Sequence, residues 1–217
     1  MSKFISVMTA AIALGGVGQV LAASNMDLNV KGSITPAACT PALSGGGVVD
    51  HGKISRKDLN QANVPTALPV ATLRLSVECA APTLVAIQSR DNRAGTSGEG
   101  GVPGSTENFG LGLVGDKKVG WYLLKTVNGQ ADGVDRPIIE SNNGTSWSDA
   151  THPGLIWQVN SMRALSTSAG SDAAPMPLRA MAMDVQVDTF IVRIQHLPPL
   201  REEFPLDGSA TLDVVYL

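Results

Sequence analysis

The chain has 217 residues, of which 16 are basic and 19 are acidic, and its net charge at neutral pH is −3. This length suits one domain that buries a proper hydrophobic core. No run of lysines or arginines occurs, which argues against nucleic acid or an anionic lipid surface as the main partner.

The first 22 residues differ in composition from the rest of the chain. Lys3 gives a cationic start, the stretch 4–20 is mostly apolar, and small residues follow at Ala22 and Ala23. This order is typical of a secretory signal peptide, cleaved after Ala22 or one residue later. A transmembrane anchor needs about 20 strongly apolar residues, and the glycines of the stretch dilute it too far. We therefore predict a signal peptide over 1–22, one domain over 23–217, and no membrane insertion.

Cys39 and Cys79 are the only cysteines of the chain. An even number of cysteines in an exported protein favours a disulfide, and closing a loop of this size stabilises a fold by about 4 kcal/mol in the chain-entropy model. Free thiols or half of a metal site are the alternatives. A metal site needs further ligands nearby, but His51, His152 and His196 lie singly in the sequence. We predict a disulfide, no metal and no cofactor.

Period-two alternation of apolar and polar residues predominates after the signal peptide, and it is typical of strands with one buried face. Helical spacing is absent except for a single turn within 55–61. The predicted core-facing residues are Met26, Leu28 and Val30; Leu73, Leu75, Val77 and Cys79; Val85 and Ile87; Phe190, Val192 and Ile194; and Ala210, Leu212, Val214 and Tyr216.

Turn residues separate these runs, and two longer segments lack clear patterning. The segment 91–108 is rich in glycine and indicates a loop, whereas 141–182 is too long for a loop and predicts short strands. Short strands between Gly- and Pro-containing turns predict an all-β sandwich. The predicted turns lie at 45–47, 91–93, 128–129, 142–144 and 207–208.

Sequence motifs of known catalytic sites are absent from the chain. Neither a nucleophile elbow, a zinc-binding His pair nor a phosphate-binding loop occurs. Asp91 with Glu99 or Glu107 is a candidate carboxylate pair for glycoside hydrolysis, but all three lie in loop-like sequence, where acidic residues are usually solvated. We predict no catalytic residues and no enzyme activity.

Four features in chain order resemble the subunits of chaperone–usher fimbriae in Gram-negative bacteria. They are Gly32-Ser33-Ile34 before Cys39, the segment 50–54 read as a strand, the run 73–79 that ends on Cys79, and the alternating run 208–216 with tyrosine next to last. The phrases at 34–41 and 109–113 further resemble an uncharacterised family of fimbrial-like secreted proteins.

This resemblance implies an immunoglobulin-like, pilin-type sandwich that lacks its last strand and leaves a groove between its sheets. A periplasmic chaperone lends a strand, and at the outer-membrane usher the N-terminal extension of a neighbouring subunit replaces it, which is β-strand addition. The protein would pass through the periplasm to the cell surface. The resemblance assigns the groove edge and chaperone contact to Ala210, Leu212, Val214 and Tyr216, and the donor strand to Met26, Leu28 and Val30.

Two questions stay open at this stage. Residues 26–34 form either a donor strand or the first strand of the domain, and the subunit belongs to a shaft, to a tip or to no fibre at all. A different hypothesis is a complete secreted sandwich, a tip adhesin or a solitary module, that binds a glycan or protein through loops around Trp121, Tyr122, Trp147 and Trp157.

Overall fold

The computed structural model describes residues 30–31, 38–98, 107–150, 155–170, 172–199 and 203–217. The chain divides into two compact units, residues 1–35 and residues 36–217. In the first unit only Val30 and Lys31 are described, and both are exposed. The predicted signal peptide lies outside the described residues.

Strands account for nearly all regular structure in the described residues, with three short 3-10 turns at Ser44–Gly47, Arg56–Asp58 and Ile194–His196. The strands are β1 (Cys39–Leu43), β2 (Thr66–Ala67), β3 (Ala71–Thr83), β4 (Val85–Asp91), β5 (Phe109–Gly110), β6 (Leu113–Val114), β7 (Lys117–Lys118), β8 (Gly120–Ala131), β9 (Val134–Asp135), β10 (Ile138–Ser141), β11 (Ser148–Asp149), β12 (Ile156–Trp157), β13 (Met162–Leu165), β14 (Leu178–Ile191) and β15 (Ala210–Tyr216).

These strands form two main sheets that share one hydrophobic core. Sheet A has the order β1-β3-β14-β8-β12, and sheet B has the order β11-β10-β13-β4-β15. Strand β2 pairs with one end of β14, β5 and β9 pair with opposite ends of β8, and β6 with β7 forms a separate ribbon. Side chains of both sheets, among them Val77, Met183 and Ile87, belong to the same buried cluster. The prediction of an all-β sandwich is therefore confirmed.

The central strand β14 shows why these residues form strands. Met181, Met183, Val185 and Val187 are buried, while the residues between them are only half-buried. This alternation places one face of β14 on the core, as a period of two residues requires. Its long run lies between β3 and β8, so its backbone groups are paired on both sides.

The predicted disulfide is present and joins the neighbouring strands β1 and β3 of sheet A. Cys39 and Cys79 lie opposite each other in the antiparallel register of β1 and β3, and their sulfur atoms are bonded. The bridge closes a loop with a sequence separation of 40 residues. It holds β1 onto the sheet although β1 pairs with only one neighbour.

Three local predictions are wrong. The segment 50–54 is not a strand but an irregular segment in which Gly52 has φ +62°. The segment 128–129 is not a hairpin turn, because it lies inside β8. Strand β14 ends at Ile191, so Phe190, Val192 and Ile194 do not share one strand face, and Ile194 begins a 3-10 turn. In contrast, β11, β12 and β13 confirm short strands within 141–182.

A buried ion pair lies in sheet B, between neighbouring strands β13 and β10. Arg163 and Glu140 face each other in register, and Arg163 Nη2 lies 2.8 Å from Glu140 Oε2. The Arg163 side chain is 0% exposed and Glu140 is 15% exposed. Arg163 Nη2 also donates to the Ile156 carbonyl at 2.6 Å, which links this pair to β12 of sheet A. Burial lowers the pKa of Arg163 to about 10, and the Glu140 charge opposes that shift.

Candidate functional site

An open groove lies between the edges of the two sheets. One side is formed by Leu43 of β1 and by Val49 and His51 that follow it, and the other by Ala210 and Leu212 of β15. The cavity between them has a volume of about 270 Å³. Strand β1 is the edge of sheet A and β15 is the edge of sheet B. The groove therefore lies between one edge strand of each sheet.

Core residues of sheet A form the floor of this groove, although Val185, Leu124 and Val187 are only 2%, 4% and 8% exposed. Leu124, Val185 and Val187 belong to the main hydrophobic cluster and also line the cavity. In a closed sandwich such side chains are covered by the opposite sheet. Here the covering layer ends at β15, because β15 has no partner on its outer side among the described residues.

The burial of β15 differs from that of the central strands. Ala210, Leu212 and Val214 pack against the core, as predicted, but no residue of β15 is fully buried. Its residues pair with β4 in one continuous antiparallel register, from Ala210 opposite Asp91 to the end of the strand. Among the described residues the strand is thus paired on one side only, which is the usual liability of an edge strand.

Tyr216 plays a different part from the other three residues of the predicted groove strand. Its ring is 49% exposed, and its hydroxyl accepts a hydrogen bond from the Cys39 backbone N–H at 3.0 Å. This bond joins the end of β15 to the start of β1, next to the disulfide. It connects the two edges of the groove at one end only.

The other end of β15 is held by a bidentate ion pair. Arg93 Nε and Nη2 donate to the two carboxylate oxygens of Asp207 at 2.9 Å and 2.7 Å. The Arg93 hydrogen bond holds the pKa of Asp207 below its usual range. The backbone N–H of Asp207 also donates to the Leu111 carbonyl at 3.0 Å. These contacts set where β15 begins and therefore where the groove edge begins.

His51 lies at the junction of the groove with a second cavity. This cavity has a volume of about 640 Å³ and extends past Ile54 and Leu197 to Phe204. His51 Nε2 forms a hydrogen bond with Thr189 Oγ1 at 3.0 Å. The pair satisfies two polar groups in a lining that also carries the charged residues Lys53 and Glu203. Sequence reasoning placed His51 in a predicted strand and assigned it no role, because its partner Thr189 lies far away in the sequence.

The predicted donor residues are only partly within the described chain. Met26 and Leu28 lie outside it, and Val30 is described and is 90% exposed. The choice between a donor strand and a first domain strand for residues 26–34 stays a prediction.

Three of the four aromatic residues of the alternative binding hypothesis are buried, and the fourth, Trp147, is half-buried. Trp157 and Trp121 belong to the main cluster, with Trp121 stacked on Phe190 at a centroid distance of 5.1 Å. Tyr122 is buried as well, and this burial raises its pKa. Trp147 packs on a small second cluster. None of the four forms a solvent-facing aromatic surface.

The candidate acidic residue for hydrolysis has structural hydrogen-bond partners. The Asp91 carboxylate accepts from the backbone N–H groups of Arg93 and Gly110 at 2.8 Å and 3.0 Å. Glu99 lies outside the described residues, and Glu107 is described. Within the part of the chain that the structure describes, no three Cys, His, Asp or Glu side chains are grouped so as to hold a metal ion.

The chain is similar in sequence to one family model and to two proteins of Escherichia coli. A family model described as "Protein of unknown function (DUF1120)" matches residues 28–130, a range that includes both cysteines. Protein GltF of Escherichia coli (strain K12) is 28% identical over 227 residues, which cover 89% of this chain and 89% of that protein. Uncharacterized protein YhcF of the same strain is 27% identical over 226 residues, covering 90% of this chain and 92% of YhcF.

The similarity to these two proteins thus extends over nearly the whole chain, well beyond the range of the family model. It is a similarity to whole proteins of comparable length. Among the described residues, no helix has the length and apolar character needed to cross a membrane.

Proposed function

We propose that this protein is a non-enzymatic structural subunit of a surface fimbria, whose groove accepts a β-strand from another chain. One observation carries this proposal: core residues of sheet A, such as Val185 and Leu124, line an open groove beside the unpaired edge of β15. In this proposal the sandwich is immunoglobulin-like and lacks its last strand.

An incoming strand would have two physical effects. Its backbone would pair with the free edge of β15, and its alternate side chains would cover the apolar groove. Fully burying one Val or Leu side chain stabilises a fold by about 1.5–3 kcal/mol. In this proposal two or three apolar side chains of the incoming strand become buried in the groove, and their burial stabilises the complex, because the groove floor is itself already covered.

The proposed partners follow from this need for a covering strand. A periplasmic chaperone supplies it first, and at the outer-membrane usher a neighbouring subunit replaces it with residues such as Met26, Leu28 and Val30. The signal peptide brings the chain to the periplasm, and the assembled fibre lies at the cell surface, where it contributes to adhesion.

The test is the state of the protein in its native cell. Surface and periplasmic fractions are run in SDS with and without boiling and are detected with an antibody. We expect a ladder of polymers that collapses to one band on heating. A single monomer band in both lanes would refute strand exchange.

A pair of variants on β15 sharpens this test. Leu212 packs on the core and lines the groove, whereas Thr211, its neighbour in β15, does not line it. Leu212→Arg should abolish the ladder, because it places a charge where apolar side chains must enter. Thr211→Arg adds the same charge to the same strand and should leave the ladder intact. Equal ladders for both variants would contradict the assigned groove edge.

A further inference from the structure

A third cavity, here called the cleft, lies where β8 meets the segment between β9 and β10. It shares no lining residue with the groove. It is open to solvent and has a volume of about 950 Å³. Polar side chains from β3, β8, β9 and β14 line it together with the apolar Pro137 and Ile138. Arg74 and Asp184 of its lining alternate with the core-facing Leu75 and Val185, so these two belong to the outer face of sheet A.

A β-bulge in β8 creates the cleft. Gln130 pairs with Ala182 and Val127 with Asp184, so that Asn128 and Gly129 together lie opposite one residue of β14. Asn128 has φ +56°, a conformation that asparagine tolerates better than most residues. A bulge adds local twist and changes the direction of neighbouring side chains. The Asn-Gly dipeptide, which indicated a turn in the sequence, is used here inside a strand.

Gly129 lets the next segment approach the bulge closely. A Cβ atom at this position would lie 2.6 Å from Ile138 Cγ1 and 3.0 Å from the Arg136 carbonyl oxygen. The Arg136 N–H donates to the Gly129 carbonyl at 2.8 Å. The missing side chain therefore brings Arg136 beside the polar residues of β8.

A chain of hydrogen bonds fixes the orientation of the polar side chains. Asp184 accepts from Asn128 Nδ2 at 2.7 Å and from Arg74 Nη1 at 2.9 Å. Arg74 Nη2 donates to Gln130 Oε1 at 2.7 Å, and Gln130 Nε2 donates to Asp135 Oδ1 at 2.9 Å. Side chains locked by such neighbours are pre-organised for a ligand. Asn128 Oδ1 and Asp135 Oδ2 remain available as acceptors.

Arg136 is the exception in this satisfied network. Its Nε atom is buried and has no hydrogen-bond partner among the described residues. Its neighbour Asp135 already accepts from Gln130. A buried donor without an acceptor is destabilising, and an arginine presents its donors as a planar fork that matches a carboxylate. Arg136 lines the cleft and forms no ion pair among the described residues, so a ligand carboxylate would pair with its terminal Nη groups, beside the oriented acceptors.

We propose that this cleft binds a saccharide that carries a carboxylate, of the uronic acid type. The ligand carboxylate pairs with Arg136, and ligand hydroxyls donate to Asn128 Oδ1 and Asp135. The C–H groups of the sugar ring contact Pro137 and Ile138. A neutral sugar would leave Arg136 unused, and a simple carboxylate would leave the oriented acceptors unused. This proposal does not depend on strand exchange, because no residue of β15 lines the cleft.

The experiment is a backbone amide NMR titration of the folded, oxidised protein with three probes. D-Glucuronate carries both features, D-glucose lacks the carboxylate, and acetate lacks the ring. Saturable shifts at Asn128, Gln130 and Arg136 are expected with glucuronate, with a dissociation constant on the order of 1 mM. Glucose and acetate should each bind at least about tenfold more weakly than glucuronate. Glucose loses the charge-assisted hydrogen bonds of the carboxylate, and acetate loses the hydrogen bonds of the hydroxyls.

Variants of Arg136 complete the test. Arg136→Gln should reduce glucuronate affinity about tenfold to the level of glucose, and Arg136→Lys, which keeps the charge but not the fork, should fall between. Arg90→Gln, at an exposed arginine of sheet B paired with Asp213, should bind like the parent. Absence of saturable glucuronate binding, equal binding of glucose or acetate, or full affinity in Arg136→Gln would each overturn the proposal.

Discussion

The ion pair of Arg163 and Glu140 allows a sharp test of how the interior of the sandwich is held together. The guanidinium is fully buried, whereas the carboxylate keeps 15% of its exposure. Arg163 Nε and Nη1 have no hydrogen-bond partner among the described residues. The charge of Arg163 is therefore balanced inside the protein by one carboxylate and by the Ile156 carbonyl.

Removing either partner should destabilise the fold strongly, and removing both should not. Glu140→Gln keeps the shape but leaves a buried cation without its counter-charge, which costs about 3–5 kcal/mol. Arg163→Met leaves Glu140, which water reaches in part, so its cost should lie at the lower end of that range. The double variant Arg163→Met/Glu140→Leu replaces the pair by apolar groups and should lie within about 2 kcal/mol of the parent.

The assay is urea denaturation of the parent, the two single variants and the double variant. Their free energies of unfolding are compared only if their m-values are equal. We expect a coupling energy of at least about 4 kcal/mol between the two sites. Glu203→Gln, which removes an exposed pair with Lys53, is the matched control and should leave the free energy of unfolding unchanged. Single variants that each lie within about 1 kcal/mol of the parent, or effects that simply add, would refute this reasoning.

Three further predictions concern the edge strand, the disulfide and acid stability. Val214→Asp should lower the free energy of unfolding at neutral pH by an amount on the order of 3 kcal/mol, and Thr211→Asp should lower it much less. Equal losses in urea denaturation would contradict the assignment of Val214 to the core-facing side of β15. Replacing Cys39 and Cys79 by serine should cost about 4 kcal/mol, measured the same way, and an unchanged midpoint would contradict it. Hydrogen bonds from Asn128 and Arg74 hold the pKa of Asp184 below its usual range, so its stabilising effect is present above the ordinary Asp pKa of about 3.9 and is lost as pH falls through the lower folded value. The stability difference between the parent and Asp184→Asn should therefore shrink below about pH 4, and a difference that does not change with pH would contradict this assignment.

The local sequence pattern was sufficient to predict the strands in which apolar residues alternate with polar ones. The run that ends on Cys79 and the run from Ala210 to Val214 alternate strictly, so their strands and inward faces follow from the sequence alone. The disulfide was predicted differently, from the presence of only two cysteines in a chain expected to be exported. These inferences need only the geometry of one strand and the count of cysteines.

Other features were not predictable, because they depend on which strands become neighbours. The Asn128-Gly129 bulge has the composition of a turn, and only its pairing with β14 makes it part of a strand. His51 forms its hydrogen bond with Thr189, which is 138 residues away in the sequence. Arg163 lies in a short apolar run, and it can be buried there because the strand register places it opposite Glu140.

The sequence by itself determined the all-β class, the disulfide and the inward faces of the strongly alternating strands, because each follows from local spacing. Tertiary structure alone decided that β1 and β15 are the edges of two sheets with an open groove between them. It also decided that Arg136 lies beside the polar residues of β8. The physical reason is that a strand carries the same local pattern whether or not a partner pairs with its second edge.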